Sequence, residues 1–395
     1  MILVRKKNRQ MNSLSMIYIL LIFAAVLLYG LNVSCQNNEQ LQSEYDFTQL
    51  DEIIQSAIKD STFPGAVVLV SKDGKIIYEK AFGHLTYDDT SASVTINTIY
   101  DIASLTKVIA TTTAAMICYD KNLFSLDDPV AKYIPEFSHN GKEKVTIKNL
   151  LLHNSGLPAF KIFYKNYSSA AEVIIDIYRT PLSYEPGGKT VYSDLGFITL
   201  AIIVEQVTGK GFDVFCKEEI FIPLQMNSTY FNPPDSLIDK IAPTEYDNYW
   251  RNKLVWGEVH DETAALLNGV AGQAGLFSTA KDVSNLLQLL LNGGTFNDHQ
   301  IIKPATVKLF ITRYSDKSTR ALGWDTKSER NSSAGNLFDI TSFGHTGFTG
   351  TSVWVDPTKE LFVVFLTNSV HPTRENKKLY KVRPALHDAT INALD

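Results

Sequence analysis

The chain has 395 residues, 45% hydrophobic and 20% charged, so it is long enough to bury the core of one large domain or two smaller ones. Its formal net charge is −5, and it becomes −9 without the four basic side chains near the N-terminus, Arg5, Lys6, Lys7 and Arg9. An acidic body does not attract a polyanion, which excludes nucleic acid as a partner.

The first 35 residues have the pattern of an export signal. A basic run precedes an uncharged apolar stretch at 16–31, and small or polar residues follow up to Cys35. A spanning helix needs about 20 apolar residues, which favours a cleaved signal peptide over a retained anchor. The residues before Cys35 resemble a bacterial lipobox, with Asn32 where that pattern has leucine. We expect export to the periplasm or cell envelope, a tether at 36–46, and attachment to the membrane if Cys35 is lipidated.

Two cysteines remain beyond the leader, Cys118 and Cys216. A pair so far apart in the chain is not a disulfide framework, and we expect both to pack as small apolar side chains. Neither has a Cys or His at metal-ligand spacing, so the sequence predicts no zinc site and no other metal.

The domain begins with a helix and a hairpin. Apolar residues recur at helical spacing over 47–60. Two β-rich runs at 66–70 and 75–78 then flank Asp73-Gly74, a strong hairpin signal. A helix followed by antiparallel strands is typical of the start of an α/β domain.

The middle of the chain has helical patterns and few clear strands. Helical spacing covers 102–119, 198–207 and 283–291, with turn signals between them. We therefore predict a largely helical insertion at about 120–310.

Strand character returns near the C-terminus. Apolar, β-branched runs lie at 351–355 and 361–366. The simplest assembly is an α/β fold of the α+β type: one antiparallel sheet built from both chain ends, flanked by helices, within a single domain at 47–395.

The strongest chemical signal is Ser104 followed three residues later by Lys107, at the start of a predicted helix. This spacing places both side chains on one helix face. A serine hydroxyl needs an adjacent base to act as a nucleophile, and a lysine can be that base when its pKa is lowered. A four-residue pattern is weak by itself, because an N-capping serine and a surface lysine would look the same.

Further segments share the chain with Ser104 and Lys107: 186–194, 343–350, and shorter ones at 151–158 and 275–280. Together they resemble the serine β-lactamase and penicillin-binding-protein superfamily, whose Ser-x-x-Lys pattern is a known catalytic motif. The resemblance is closest to the class C β-lactamase-like branch, which includes DD-carboxypeptidases and esterases. It covers nearly all of the mature chain and implies the β-lactamase/transpeptidase-like fold.

The resemblance implies a role for each matching residue. Ser104 would be the nucleophile, Lys107 its proton acceptor, and Tyr192 a phenol or phenolate that relays the proton to the leaving group. The backbone N–H groups of Ser104 and Phe348 would form the oxyanion hole. No cofactor is implied.

The substrate-binding side departs from the family pattern at two positions. His345, Thr346 and Gly347 would form the edge strand facing the substrate, but many relatives have lysine at position 345. We expect neutral His345 to hydrogen-bond a substrate carboxylate and protonated His345 to attract it. Asp194 replaces an asparagine, and a carboxylate accepts hydrogen bonds but cannot donate them. Asp194 would therefore hold Lys107 by charge, select a substrate that donates, or be purely structural.

One candidate in the inserted region is His260, which would contact substrate or only fix its own loop. The sequence therefore predicts a serine hydrolase acting through an acyl-enzyme on D-alanyl peptides or related amides and esters. The expected partner is a small-molecule or peptide substrate, either a cell-wall peptide or a β-lactam. The alternatives are a β-lactamase, an esterase, and a catalytically silent binding protein on the same fold.

Overall fold

The computed structural model describes residues 45–394, so the predicted leader, Cys35 and nearly all of the tether at 36–46 lie outside the described residues. The α-helices are Thr48–Lys59, Thr113–Asp120, Ile147–Leu151, Ala170–Arg179, Asp194–Thr208, Phe212–Cys216, Glu262–Leu266, Ala280–Leu291, Pro304–Ile311 and Leu379–Asn392. Short 3-10 turns lie at Ala103–Leu105, Val130–Lys132, Pro135–Phe137, Lys142–Lys144 and Asp235–Lys240, and π-helical turns at Lys107–Thr112 and Lys217–Phe221.

The central sheet is antiparallel and has six strands from both ends of the chain. Across the sheet, the order is Asp325–Thr326, Phe343–Thr346, Ser352–Asp356, Leu361–Thr367, Gly65–Lys72 and Lys75–Gly83. The N-terminal hairpin turns at Asp73 and Gly74, whose φ angles of 51° and 74° are the left-handed values of a tight two-residue turn. This arrangement, with helices flanking the sheet, confirms the predicted fold class.

Both faces of the sheet are covered. The strand Gly65–Lys72 is buried along nearly its whole length. Alternate side chains of a strand face opposite sides, so Val67 joins the large core while Val68 is buried on the other face. The helix Ala280–Leu291 packs against this strand, and the helix Thr48–Lys59 packs against the neighbouring strand of the hairpin.

The helical region contains a second, smaller sheet. Its three strands are Tyr100–Asp101, Leu276–Ser278 and Tyr230–Phe231. Two-stranded ribbons are formed by Tyr246–Asp247 with Lys253–Leu254 and by Thr295–Phe296 with His299–Gln300. The predicted insertion at about 120–310 includes the helix Ala280–Leu291, which packs on the central sheet. The domain boundaries stay a prediction.

Cys118 and Cys216 are free and buried, as predicted. Burial raises the pKa of both thiols, that of Cys118 to about 12, which makes them unreactive. Within residues 45–394, no single helix is long and apolar enough to cross a membrane, and one bent pair, Asp194–Thr208 with Phe212–Phe221, meets the length and composition test together.

Candidate active site

Ser104 lies in a sharp turn that follows the short strand Tyr100–Asp101. Ala103, immediately before it, has a left-handed φ of 47°, which is unfavourable for a residue with a side chain. The Ala103 N–H donates to Asp101 Oδ1 at 2.8 Å, and this bond holds the turn. Ser104 is partly exposed, whereas Ala103 and Leu105 on either side of it are buried.

Lys107 is fully buried, and all three protons of its ammonium group have an acceptor. Its Nζ lies 3.0 Å from Ser104 Oγ, 2.9 Å from the backbone oxygen of Gln273 and 2.7 Å from Asp194 Oδ1. Burial by itself would lower the pKa of Lys107, but Asp194 and Tyr192 outweigh it and raise that pKa to about 12. Lys107 is therefore a cation in the resting protein.

Asp194 contacts Lys107 from the first turn of the helix Asp194–Thr208. The Ser193 hydroxyl caps this helix by accepting from the N–H of Gly196 at 3.4 Å. A carboxylate in a first turn is stabilised by the helix dipole. Of the three roles considered for Asp194, its position matches the one that holds Lys107 by charge.

Tyr192 has a free hydroxyl and lies next to Lys107. Its hydroxyl oxygen is buried and has no hydrogen-bond partner among the described residues. Lys107 Nζ lies 4.8 Å from the centre of its ring, and the Arg320 guanidinium lies 5.3 Å from it. A hydroxyl without a partner, next to Lys107, is suited to exchanging protons with a bound substrate.

His345 is buried on the edge strand and is neutral. Its Nδ1 lies 2.9 Å from the backbone oxygen of Thr346. Burial and the charges of Arg320 and Lys107 hold the pKa of His345 well below its usual value. At neutral pH, His345 is therefore in the uncharged form that was expected to hydrogen-bond a substrate carboxylate, and the stronger attraction by protonated His345 stays a prediction.

Arg320 is the positive charge that sequence reasoning missed. It lines the same cavity as Ser104, and its buried Nη1 has no hydrogen-bond partner in residues 45–394. Arg374, which also lines the cavity, is by contrast paired with Glu245 at 2.5 Å and Glu262 at 2.9 Å. Arg320 lies in a turn-rich stretch without any motif, so no sequence signal could have identified it.

The cavity has a volume of about 310 Å³ and brings most of the predicted site together. Ser104, Tyr192, His345, Thr346, Gly347 and Phe348 line it, with Arg320, Arg374, Lys377 and Arg383. Phe348 is 55% exposed, and its backbone N–H donates no hydrogen bond to another described residue. The site thus offers a nucleophile, a proton carrier, a free backbone donor and an unpaired guanidinium.

His260 is outside this lining. Its ring stacks on Phe348 with 5.7 Å between ring centres, its Nε2 lies 3.0 Å from Glu245 Oε2, and its N–H donates to Asp101 at 2.7 Å. These contacts match the loop-fixing role better than substrate contact. In the described part of the chain, no group of three His, Cys, Asp or Glu side chains could hold a metal ion.

Comparison with known proteins gives three kinds of match. The family described as Beta-lactamase matches residues 50–386. The chain is 35% identical over 357 residues to a protein of Escherichia coli (strain K12) named "Putative D-alanyl-D-alanine carboxypeptidase", with 82% of each covered. It is 34% identical over 358 residues to the "N-acetylmuramyl-L-alanine amidase" of Bacillus subtilis (strain 168), covering 82% of this chain and 81% of that one. A class C beta lactamase from Rhodobacter sphaeroides has the same fold, with a TM-score of 0.69 and 22% sequence identity, covering 88% of this chain and 99% of that one.

Proposed function

The chain belongs to the Beta-lactamase family and is a serine hydrolase of the acyl-enzyme type, and from this premise we propose that it removes D-alanine from peptides with a free C-terminal carboxylate. The relationship predicted from the motifs is confirmed. The substrate is our proposal, supported by the name of the Escherichia coli relative and by one feature of the cavity.

That feature is the unpaired Arg320. Arg320 is half-buried, its buried Nη1 has no hydrogen-bond partner in residues 45–394, and a guanidinium binds a carboxylate through two parallel hydrogen bonds. A D-alanyl peptide places its terminal carboxylate one residue beyond the scissile carbonyl. Ser104 and Arg320 line one cavity, so a single substrate that carries both groups can reach both residues.

The proposed acylation step needs no metal. Ser104 Oγ attacks the scissile carbonyl carbon, and the N–H groups of Ser104 and Phe348 bind the resulting oxyanion. Tyr192 accepts the serine proton while donating its own to the departing D-alanine nitrogen, because a hydroxyl can donate one proton and accept another. The C–N bond then breaks, and water hydrolyses the Ser104 ester in a second step by the reverse proton path.

Lys107 acts as a cation in the first part of this scheme. Its ammonium group stabilises negative charge that develops on Ser104 Oγ and on the Tyr192 oxygen. Lys107 can become the proton acceptor that the family resemblance implies only after it passes a proton to Asp194, which lies 2.7 Å away. The acceptor role of Lys107 stays a prediction.

β-Lactam hydrolysis is the second candidate, because a lactam also carries a carboxylate that Arg320 could bind. The position of Asp194 argues against efficient turnover. Its carboxylate is engaged by Lys107 and cannot donate to the side-chain amide of a lactam. We therefore propose that penicillin acylates Ser104 and leaves slowly. An esterase and a silent binding protein are the remaining alternatives.

The decisive experiment compares a D-Ala-D-Ala peptide, the same peptide with a C-terminal amide, nitrocefin and a p-nitrophenyl ester without a carboxylate. We expect the free peptide to have the highest kcat/KM. Arg320→Met should lower that value by about 100-fold, because it removes a charge-assisted bidentate contact, and should leave the simple ester nearly unchanged. Faster turnover of nitrocefin than of the peptide would instead establish a β-lactamase, and no labelling by a fluorescent penicillin or fluorophosphonate would indicate a binding protein.

We further propose that the protein is exported and that Cys35 is lipidated. The basic and apolar leader before Cys35 supports both statements. Mass spectrometry of the mature N-terminus tests them. An unmodified N-terminus beyond Cys35 would rule lipidation out while leaving export intact.

A further inference from the structure

Arg383 is a buried cation behind the edge strand, and it has no carboxylate partner among the described residues. It belongs to the helix Leu379–Asn392 and is 8% exposed. Its Nη2 donates to the backbone oxygens of Gly347 and Thr351, each at 2.9 Å, while its Nε is buried without a partner. Burial lowers the pKa of Arg383 only to about 10, so it stays charged at neutral pH.

The carbonyl of Gly347 shares a peptide unit with the N–H of Phe348. A trans peptide is planar, so its C=O and N–H bonds point in opposite directions. A cation on the Gly347 oxygen therefore turns the Phe348 N–H away from Arg383. It also draws electron density toward that oxygen, which makes the N–H a stronger donor. Since this N–H has no partner in the described structure, the effect is available to a substrate.

Other hydrogen bonds hold the turn that contains Gly347 and Phe348 against the residues before Ser104. The Thr349 hydroxyl donates to the backbone oxygen of Asp101 at 2.7 Å, and the Thr351 hydroxyl donates to the backbone oxygen of Ile102 at 3.1 Å. A Cβ on Gly347 would lie only 2.5 Å from the Ile102 oxygen, so the two segments touch. The position of the turn thus has several supports, and the Gly347 oxygen also accepts from the N–H of Gly350 at 3.2 Å. Among the described residues, Arg383 is the charged donor to that oxygen.

We propose that Arg383 is a positioning residue of the oxyanion hole, which orients and polarises the Gly347–Phe348 peptide so that its N–H binds the oxyanion formed at Ser104. This inference rests on the proposed acyl-enzyme chemistry. It adds a residue that contacts neither the nucleophile nor the proton carrier and acts through one peptide bond.

The test uses a matched pair of substrates, an ester and its thionoester, because sulfur is a much weaker hydrogen-bond acceptor than oxygen in an oxyanion hole. Loss of a complete donor costs about 100- to 1,000-fold in kcat, so weakening one should cost less. We expect Arg383→Met to lower kcat for the ester by about 10- to 100-fold with little change in KM, and to lower it for the thionoester by less than about 3-fold. Arg383→Lys should restore part of the ester rate.

Arg313→Met is the matched control. The Arg313 guanidinium also bonds a backbone oxygen, that of Lys327, and the Thr326 hydroxyl, but it lies outside the active-site cavity. It should lose stability without changing the ratio of ester to thionoester rates. Thermal unfolding of each variant checks that it is folded at the assay temperature.

Equal losses for ester and thionoester in Arg383→Met would overturn the proposal and leave Arg383 a structural residue. If that variant does not fold, Arg383→Lys carries the test, with an ester-selective loss expected and an equal loss again contradicting it. Failure of the wild-type protein to acylate Ser104 with either substrate would contradict the proposed function itself, so the two failures are distinguishable.

Discussion

The cavity has a buried cation on each side, and their partners differ. On the helical side, Lys107 is paired with the carboxylate of Asp194 and contacts Ser104 directly. On the sheet side, Arg383 contacts only backbone oxygens, and Arg320 has no acceptor for Nη1 in residues 45–394. A paired cation with several acceptors can exchange protons, whereas an unpaired one stabilises negative charge that arrives with a substrate or develops during reaction. The helical side therefore combines proton transfer with charge stabilisation by Lys107, and the sheet side contributes charge stabilisation alone.

The largest expected effect comes from removing the atom that both sides serve. Ser104→Ala removes only the attacking oxygen, so we expect the fold to be unchanged. Turnover should fall by at least about 10,000-fold. Labelling with a fluorescent penicillin should vanish as well. Covalent labelling that persists on another residue would contradict the assignment of the nucleophile.

Next in size is the proton path of the helical side. Lys107→Ala and Tyr192→Phe should each lower kcat by about 1,000-fold, because Tyr192 carries the serine proton and Lys107 stabilises the negative charge that this transfer creates. Their double variant should be within about 10-fold of the slower single variant. Losses that multiply would show that the two residues act independently.

Asp194→Asn tests the pairing that distinguishes the two sides. Without the carboxylate, only Tyr192 opposes the effect of burial on the pKa of Lys107, and the rise of activity with pH should begin about one unit or more below that of the wild type. The raised pKa of Lys107 contributes stability that is present below its unfolded pKa and is lost as pH rises through about 12. The variant should therefore lose about 2 kcal/mol of unfolding free energy at pH 7, as measured by urea unfolding.

A pH profile that is the same in Asp194→Asn as in the wild type would mean that Lys107 does not titrate in the reaction. Asp194→Glu is the control, because it keeps the negative charge and should leave the profile close to that of the wild type.

The smallest expected effect concerns Asp261, also on the helical side. Burial and the nearby charge of Asp194 raise the pKa of Asp261 to about 6. Since the folded protein holds this proton more tightly than the unfolded chain, Asp261 makes the protein less stable as pH rises from about 4 to about 6. Asp261→Asn keeps the bond to the N–H of Ala264. The unfolding free energy of this variant, measured relative to the wild type, should be about 1 kcal/mol higher at pH 7 than at pH 4. The same relative stability at both pH values would contradict the shift.

Most of the helical side of the site could be predicted from the sequence. Ser104 and Lys107 are three residues apart, so a helical turn necessarily brings them together. Tyr192 and Asp194 belong to a compact segment, and its resemblance to a known family placed it beside them. The contact between Asp194 and Lys107 was one of three open alternatives, because spacing along the chain does not say which side chain a carboxylate will meet.

The sheet side was predicted less completely. The motif at 343–350 identified His345 and Phe348, but the charge state of His345 depends on its burial and on Arg320, which has no motif. Arg383 lies 36 residues beyond Gly347, and only the docking of the C-terminal helix brings its guanidinium to that carbonyl. The sequence left open whether His260 contacts substrate, and in the structure its ring stacks on Phe348 outside the lining of the cavity.

The sequence by itself determined the fold class, the family and the reacting groups, because hydrophobic periodicity and short motifs depend on neighbours within a few residues. Only the tertiary structure decided which charges around the cavity are paired, which are free, and which are suppressed. Those properties depend on burial and on distances of a few ångströms between residues far apart in the chain, because an electrostatic interaction weakens with distance and is strengthened where water is excluded.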